Sequence, residues 1–300
     1  MKIFAKKIRL RTIILLILAV VILLSLIFAF DKNLKIARYK ITSNKIEESI
    51  KIVQISDLHN EIFGEAQEVL IDKVKNEKPD LIVLTGDMAD GSPILGTELL
   101  LMGIQDVAPI YYVTGNHEYP LLTFEIQNGE YMNILSLMEK YGVEVLSDEI
   151  REISTNGNNI LIAGVKDPDA LIYERAKTHN ELKNTFRDVT VNEHFSILLA
   201  HRPEKYEEYA DYGFDLVLSG HTHGGQVRIP VFVNGLFAPN QGWFPEKAGG
   251  LYVLDNKYSD DKMNLIVNRG ATLQEFNYED SVAPRIFNPP EVCVIEIHSD

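Results

Sequence analysis

The stretch IKIVQISDLH, residues 50–59, decides the fold of this chain. Residues 50–56 form a mainly apolar run of strand length, which is typical of a buried strand in a parallel sheet. Asp57 and His59 follow the run directly. Side chains two positions apart at a strand end point the same way, so both can reach one ion. The stretch therefore predicts a sheet with a metal-binding edge.

Apolar runs of the same kind recur along the rest of the chain. They predict strands over residues 80–85, 110–114, 160–165, 195–200, 215–219, 251–255, 263–268 and 291–297. Between the early runs, helical patterns occupy residues 65–76, 97–106 and 131–141. Alternation of strands and helices that gives way to strands predicts one α/β domain, spanning 49–300, with a β-rich end.

Four more polar motifs come directly after predicted strands. They are Gly86-Asp87, Gly115-Asn116-His117-Glu118, His201 and Gly220-His221-Thr222-His223. Ligands bind at the carboxyl ends of strands in open α/β sheets, so these motifs are expected to meet. Taken singly, each motif has an ordinary alternative, such as a surface turn, a helix cap or a core histidine. The ordered set favours a site, because five of the eight histidines lie in these motifs.

The donor atoms of this set suit a pair of divalent metal ions. Carboxylate oxygen, imidazole nitrogen and amide oxygen together favour Mn²⁺, Fe²⁺ or Zn²⁺. One carboxylate has to bridge the ions if they lie about 3.5–4 Å apart, and water held between them becomes a hydroxide nucleophile at neutral pH. The motifs thus predict a hydrolytic centre with two metal ions.

The composition excludes several other classes of protein. With 24% charged and 46% hydrophobic residues, the 300-residue chain is neither low-complexity nor wholly disordered. The net charge of −14 argues against nucleic acid as a partner, since phosphate backbones attract basic surfaces. The single cysteine, Cys293, excludes an intrachain disulfide and metal sites built from several cysteines.

The N-terminal segment differs in composition from the rest of the chain. Residues 1–11 carry five Lys or Arg and no acid, and residues 12–30 carry no charge. Nineteen helical residues span about 28 Å, close to the hydrocarbon thickness of a bilayer. We therefore expect a transmembrane signal anchor over 12–30 and a membrane-proximal segment over 31–48. A buried core helix and a cleaved signal peptide are the alternatives, although the run ends in LIFAF, a poor cleavage site.

The orientation of this anchor depends on its two flanks. Five Lys or Arg precede the run and five follow it between residues 31 and 45, so the positive-inside count is nearly balanced. The first flank is denser and has no acid, which favours a cytoplasmic N-terminus. We therefore expect a single-pass protein of the cell membrane with an extracytoplasmic domain.

The ordered motifs resemble those of the calcineurin-like metallophosphoesterases, and residues 53–59 and 220–226 resemble the bacterial branch of membrane-associated or exported phosphoesterases. The resemblance implies two β-sheets packed face to face and flanked by helices. It also implies two metal sites, the first held by Asp57, His59 and His223 and the second by Asn116, His201 and His221, with Asp87 bridging both. His117 is implied to act at the scissile phosphate, by stabilising charge or protonating the leaving group, and not to bind metal. Asp90 stands where the purple acid phosphatases place a tyrosine ligand, which disfavours that branch.

The expected activity is hydrolysis of a phosphate ester by attack of metal-bound hydroxide. Apart from Arg202, the motifs contain no Lys or Arg, which favours a phosphodiester or pyrophosphate over a monoester. The anchor favours a lipid-linked or envelope-derived substrate. The alternatives are a membrane-tethered metal-binding module without catalysis and a metal-dependent hydrolase of a non-phosphate bond.

Two features outside the motifs are open to more than one interpretation. Arg269, at another predicted strand end, is a candidate phosphate contact, with a structural ion pair as the alternative. The loop over 234–250 holds the only tryptophan, Trp243, next to Phe244. This loop is either a lid or lipid-facing wall of the site, or a surface loop whose aromatic side chains pack on the domain.

Overall fold

The apolar runs form two six-stranded sheets. The computed structural model describes residues 2–90, 93–118, 125–127, 130–169, 177–187, 189, 193–258, 262–273, 276–278 and 281–300. The first sheet contains, in spatial order, β1 (Lys35–Ser43), β18 (Glu291–Ser299), β2 (Ile50–Ile55), β3 (Leu81–Thr85), β4 (Ile110–Val113) and β7 (Glu144–Val145). The second contains β14 (Gly250–Asp255), β15 (Lys262–Val267), β11 (Leu216–Ser219), β10 (Phe195–Leu199), β9 (Asn158–Gly164) and β8 (Glu149–Thr155).

Shorter elements complete the described part of the chain. Three two-stranded ribbons pair β5 (Glu125–Gln127) with β6 (Glu130–Met132), β12 (Phe237–Ala238) with β13 (Gly242–Trp243), and β16 (Phe276–Tyr278) with β17 (Ser281–Ala283). The α-helices are α1 (Lys2–Ala29), α2 (Glu68–Glu77), α3 (Leu95–Ile104), α4 (Ile134–Lys140), α5 (His179–Thr185) and α6 (Tyr206–Ala210). Single 3₁₀ turns lie at Glu65–Gln67, Pro203–Lys205 and His223–Gly225.

The strands at the centre of each sheet run parallel to one another. In the first sheet β2, β3, β4 and β7 are parallel, and in the second β9, β10, β11 and β15 are parallel. The edge strands β8 and β14 are antiparallel to their neighbours. The carboxyl ends of the central strands are the predicted location of the polar motifs, so this pairing gathers the motifs at one edge of each sheet.

The two sheets face each other across an apolar core. Ile52, Val83 and Ile295 of the first sheet pack with Ile197 and Leu218 of the second, and all five are buried. On the outer face of the first sheet, α2, α3 and α4 each contribute a buried leucine to a second cluster, namely Leu70, Leu100 and Leu137. On the outer face of the second sheet, α6 contributes Tyr209. The predicted α/β sandwich flanked by helices is confirmed.

Two strands of the first sheet, β1 and the two-residue β7, were not predicted. β1 pairs in parallel with β18 along its whole length, from Lys35 opposite Glu291 to Ser43 opposite Ser299. Its sequence, KIARYKITS, places a basic or polar residue at most of the exposed positions of an edge strand, so it lacks an apolar run. The segment 31–48, expected ahead of the domain, therefore contributes a strand to the sheet.

The predicted helix over 131–141 is shorter than expected. Residues Glu130–Met132 form β6, and the helix begins only at Ile134. Asn133 causes this boundary, because its side chain accepts a hydrogen bond from the Ser136 backbone N–H at 2.8 Å. This is an ordinary N-cap, and it starts the helix three residues late.

The apolar N-terminal segment forms a single long helix. Residues Thr12–Ala29 of α1 are long and apolar enough to cross a membrane, and almost none of this segment is buried against the domain. The end of α1 contacts the domain through the backbone, because the N–H of Phe287 donates to the carbonyl of Ala29 at 2.8 Å. The prediction of one apolar membrane-length helix is confirmed.

Candidate metal centre

The predicted site residues meet at the carboxyl ends of the central strands of both sheets. They are Asp57 and His59 after β2, Asp87 after β3, Asn116 and His117 after β4, His201 after β10, and His221 and His223 after β11. All are buried except Asn116 and His117, which are partly exposed. Both sheets therefore contribute to one site.

Three of these residues form what we call the first ligand group: Asp57, His59 and His223. Each offers one ligand atom, and these atoms lie within 4.8 Å of one another. Nε2 of His223 is 3.1 Å from Nε2 of His59 and 3.5 Å from Oδ1 of Asp57. Two imidazole nitrogens and a carboxylate oxygen thus converge on one point.

The second ligand group consists of Asp87, His201 and His221, whose ligand atoms also lie within 4.8 Å of one another. Nε2 of His201 is 3.1 Å from Oδ2 of Asp87 and 3.2 Å from Nδ1 of His221. Oδ2 of Asp87 is also 3.9 Å from Nε2 of His59. Asp87 is therefore the carboxylate that reaches both groups, as a bridging ligand must.

Backbone groups orient these side chains. The carbonyl of Thr85 lies 2.8 Å from Nδ1 of His201 and can accept its proton, so the ring is oriented with Nε2 facing the second group. The N–H of His221 donates to Asp57 Oδ1 at 2.9 Å, and the N–H of His117 donates to Asp87 Oδ1 at 2.9 Å. Each carboxylate is therefore held by a backbone donor from another motif.

The backbone at the ligand positions is unusual. Five of the predicted ligands have φ values between 47° and 70°, in the left-handed region: Asp57, His59, Asp87, His221 and His223. Non-glycine residues rarely adopt this conformation, and clusters of it mark functional sites. The turns after β2, β3 and β11 thus adopt strained backbone conformations that direct the ligand side chains into the site.

Two glycines of the motifs are required by close approach. A Cβ atom on Gly115 would overlap the carboxylate of Asp87, and one on Gly220 would overlap Ser56. The backbone of both turns therefore passes so close to the site that any side chain would displace a neighbour.

Burial and neighbouring charges shift the pKa values of the ligand side chains. Burial raises the pKa of Asp57. Burial also opposes ionisation of Asp87 and of His201, but their mutual attraction lowers the pKa of Asp87 and raises that of His201 well beyond the usual range. Burial lowers the pKa of His221 and His223 well below the usual value, so both imidazoles stay neutral. Neutral imidazole is the form that binds metal.

A buried amide oxygen completes the donor set. Oδ1 of Asn116 has no hydrogen-bond partner among the described residues. Leaving such a group unsatisfied costs about 1–3 kcal/mol, which a bound cation would recover. Two carboxylates, four imidazoles and one amide oxygen are ligands that divalent transition metals accept. The residues present therefore fit divalent metal ions.

His117 lies beside the first group and contacts an acid that the sequence analysis did not place in the site. Its Nδ1 is 3.3 Å from Oδ1 of Asp90, whose Oδ2 is 3.7 Å from Nδ1 of His59. Burial would lower the pKa of His117, but Asp90 and Asp87 raise it to about 9. His117 is therefore positively charged at neutral pH, and part of its side chain reaches solvent.

Glu118 is a second residue whose role the motif did not reveal. Its buried carboxylate accepts hydrogen bonds from the N–H groups of Asp87 at 3.0 Å, Met88 at 2.6 Å and Gly115 at 2.7 Å. It therefore ties the turn after β3 to the turn after β4. Burial and the nearby Asp87 raise its pKa to about 7.

The two arginines that the sequence singled out are both ion-paired. Arg202 donates to Asp167 at 2.6 and 2.9 Å and contacts Asp169 at 2.8 Å. Arg269 contacts Glu291 at 3.0 Å and Asn234 at 3.4 Å. The role of Arg269 as a phosphate contact stays a prediction.

Comparison with known proteins agrees with this geometry. The pattern that defines calcineurin-like phosphoesterases matches residues 50–225. A metallophosphoesterase of Aquifex aeolicus is 31% identical over 75% of this chain and 83% of its own. A bovine transmembrane protein with a metallophosphoesterase domain is 31% identical over 60% of this chain and 41% of its own. The NAD nucleotidase of Haemophilus influenzae superposes with a TM-score of 0.52 at 14% identity, covering 75% of this chain and 46% of that one, and so shares the fold.

Proposed function

Because the chain belongs to the calcineurin-like phosphoesterase family, whose members are metal-dependent phosphoric ester hydrolases, we propose that it is a membrane-anchored enzyme cleaving a phosphodiester or pyrophosphate. The observation that carries this proposal is the convergence of two ligand groups on Asp87. Two ligand groups, with a carboxylate of one group close to the other, are what a dinuclear hydrolase requires.

The ligand roles in this proposal follow the two groups. Asp57, His59 and His223 would hold one ion, Asn116, His201 and His221 would hold the other, and Asp87 would serve both. Two ions of Mn, Fe or Zn bound there would lower the pKa of water and polarise a phosphoryl oxygen. The Thr85 carbonyl and the backbone N–H groups described above keep the ligand atoms in place before metal arrives.

His117 is the proposed catalytic residue outside the ligand set. Its pKa of about 9 keeps the imidazole protonated at neutral pH, so it can stabilise charge on the phosphoryl oxygens or give a proton to the leaving group. The carboxylate of Asp90 contacts Nδ1 and leaves Nε2 to face the substrate.

The charge around the site supports a substrate with few negative charges. Arg202 is neutralised by Asp167 and Asp169, so it cannot balance a dianionic phosphomonoester. A phosphodiester carries one charge and needs less compensation. If Arg269 contacts the phosphate, the Arg269→Ala variant should raise KM, whereas a purely structural ion pair would lower the melting temperature alone.

The membrane anchor is the second part of the proposal. The exposed apolar segment Thr12–Ala29 supports it, as does the similarity to a bovine transmembrane protein. With a basic N-terminal flank inside, residues 31–300 lie on the outer face, where lipid-linked or envelope-derived phosphate esters are within reach. Protease added to cells with an exposed, intact cytoplasmic membrane should digest the domain. A protected domain would reverse the orientation, and release by high salt would refute the anchor.

Turnover of simple esters tests the catalytic part. The purified full-length protein should hydrolyse bis(p-nitrophenyl) phosphate after loading with Mn²⁺, and should lose this activity on chelation. The monoester p-nitrophenyl phosphate should be the poorer substrate by kcat/KM. Metal binding without hydrolysis of either ester would favour the non-catalytic metal-binding module, and hydrolysis of an amide or carboxylic ester alone would favour the other alternative.

A further inference from the structure

Five large apolar side chains project into solvent from two neighbouring loops. They are Ile229, Val231, Phe232, Trp243 and Phe244, with exposed fractions of 52%, 100%, 83%, 69% and 66%. We call this set the apolar rim. Single exposed apolar residues are common, but a cluster of this kind marks an interaction surface. The turn IPVFV, residues 229–233, contains no charged residue.

The backbone holds the rim in this exposed arrangement. The N–H of Ile229 donates to Val233 at 2.9 Å, and the N–H of Val233 donates back at 2.8 Å, which closes a tight turn. Val231 at its tip has a φ of 75°, a conformation that costs a β-branched residue free energy. Trp243 rests edge-on against the ring of Phe237, with 5.6 Å between ring centroids. The apolar side chains are thus directed outward by ordered structure.

The rim lies beside the end of the membrane helix. The N–H of Arg228 donates to Ile286 at 2.9 Å, and the next residue, Phe287, donates to Ala29 at the end of α1. Each of these two hydrogen bonds spans about 3 Å and they join adjacent residues, so the base of the turn is roughly 10 Å from the end of α1. When α1 spans a bilayer, the rim is therefore close to the bilayer surface.

One of the loops that carry the rim, and the segment that pairs with the base of the other, also contact the metal centre. Nδ2 of Asn288, one residue after Phe287, donates to the carbonyl of His223 at 2.7 Å. Asn240, in the loop that carries Trp243, has its Oδ1 3.5 Å from Nε2 of His221. The surface beside the anchor and the ligand turn after β11 are therefore parts of one connected structure.

We propose that the apolar rim inserts into the lipid surface next to α1, so that the metal centre accepts phosphate esters whose hydrocarbon part remains in the bilayer. Aromatic and aliphatic side chains without charge are the residues that bind at the membrane interface. The proposal rests on the anchoring proposed above, and it names the substrate class as amphiphilic phosphodiesters or pyrophosphates. The bilayer is the favoured occupant because the rim is continuous with the end of the membrane helix.

Trp243 provides a direct test, since it is the only tryptophan of the chain. The full-length protein is reconstituted in phosphatidylcholine vesicles with or without bromine atoms near the top of the acyl chains. Bromine quenches an indole only on contact, so we expect strong quenching of Trp243. Unquenched emission at the wavelength of a water-exposed indole would overturn the proposal, as would a stable dimer in which the rim is covered by a second copy.

Matched variants connect insertion with substrate choice. Phe232→Asp should remove most of the quenching and lower kcat/KM for a vesicle-embedded phosphodiester by roughly tenfold, whereas Met102→Asp, an exposed position on α3, should change neither. Metal content and melting temperature show that each variant is folded. An equal loss of quenching and of kcat/KM in both variants, or no loss in Phe232→Asp, would overturn the proposal.

The two proposals fail in different ways. Quenching of Trp243 in a protein that hydrolyses no phosphate ester would refute the proposed function and leave the rim as a membrane contact. Hydrolysis of the soluble diester without quenching of Trp243 would support the proposed function and refute the insertion of the apolar rim into the bilayer.

Discussion

The two ligand groups take residues from the same two sheets but balance their charge differently. In the second group, the buried carboxylate of Asp87 and the imidazole of His201 are 3.1 Å apart and stabilise each other's charged forms. In the first group, burial raises the pKa of Asp57 and keeps His223 neutral. In the second group, a proton on His201 can therefore balance the carboxylate of Asp87. In the first group, His223 stays neutral, so the carboxylate of Asp57 depends more on a bound cation.

Their structural support differs as well. The second group is braced by Glu118, which binds the turn carrying Asp87, and by the carbonyl that orients His201. All three residues of the first group have a left-handed backbone conformation, against two of the three in the second group, Asp87 and His221. The comparison indicates a second site that is organised before metal binds and a first site that bound metal helps to organise.

The largest effect is expected at the shared carboxylate. Asp87→Ala should lose both ions and nearly all turnover, whereas Asp57→Ala should lose only the ion of the first group. Elemental analysis after metal loading and gel filtration measures this difference, and the wild type should approach two ions per chain. Two ions retained in Asp87→Ala would end the claim that this residue serves both groups.

The next largest effect is expected at His117, where substitution should reduce turnover without loss of metal. His117→Ala should keep both ions and lose turnover by roughly 10²–10⁴-fold, the range for an acid or charge stabiliser. The loss should shrink for substrates with very good leaving groups if His117 is the acid. His194→Ala, a partly exposed histidine that directly precedes β10 and contacts Glu152 of β8, is the control and should retain activity. Metal loss in His117→Ala would instead add His117 to the ligands.

Substitution of Glu118 should affect metal binding at the two groups to different extents. Glu118→Gln loses the acceptor for at least one of its four backbone N–H donors, which should lower the free energy of unfolding by about 1.5–3 kcal/mol. Metal affinity should fall by roughly 10–100-fold at the second group and much less at the first. Metal titration followed by calorimetry resolves the two sites, with the exposed Glu139→Gln as control. An equal fall in metal affinity at both sites would contradict the inference that Glu118 supports the second group more than the first.

The smallest effect is expected where both groups share support. Gln54 is buried under the site, and its amide donates to Thr85 Oγ1 at 3.0 Å and to the Ser219 carbonyl at 2.9 Å, so it links the two sheets. Gln54→Leu should lower the free energy of unfolding by about 1–3 kcal/mol while both ions stay bound. The exposed Gln105→Leu is the matched control in denaturant unfolding. Loss of one ion alone would show that Gln54 supports one group more than the other.

The parts of this structure that the sequence predicted are those where pattern and chemistry coincide. Buried central strands such as β2 and β10 are nearly continuous apolar runs, so their positions and their polar ends could be predicted. The edge strands β1 and β8 alternate exposed polar and partly buried residues and gave no such signal.

Single supporting residues were not predictable for a different reason. Asp90, Glu118 and Asn288 act through specific contacts made by the fold, and their positions in the sequence do not reveal these contacts. A carboxylate three residues after Asp87 has no distinguishing feature until His117 from another strand is placed against it. Such contacts follow only from tertiary structure.

The position of β18 between β1 and β2 has a consequence for how the protein is made. Residues 291–299 leave the ribosome after every other strand of the first sheet, yet they supply the partner of residues 35–43 on one side and of residues 50–55 on the other. The sheet therefore cannot close during synthesis, and such long-range pairing slows folding. A chain kept open until its last strand emerges can still pass through a narrow translocation channel, as the extracytoplasmic location proposed above would require.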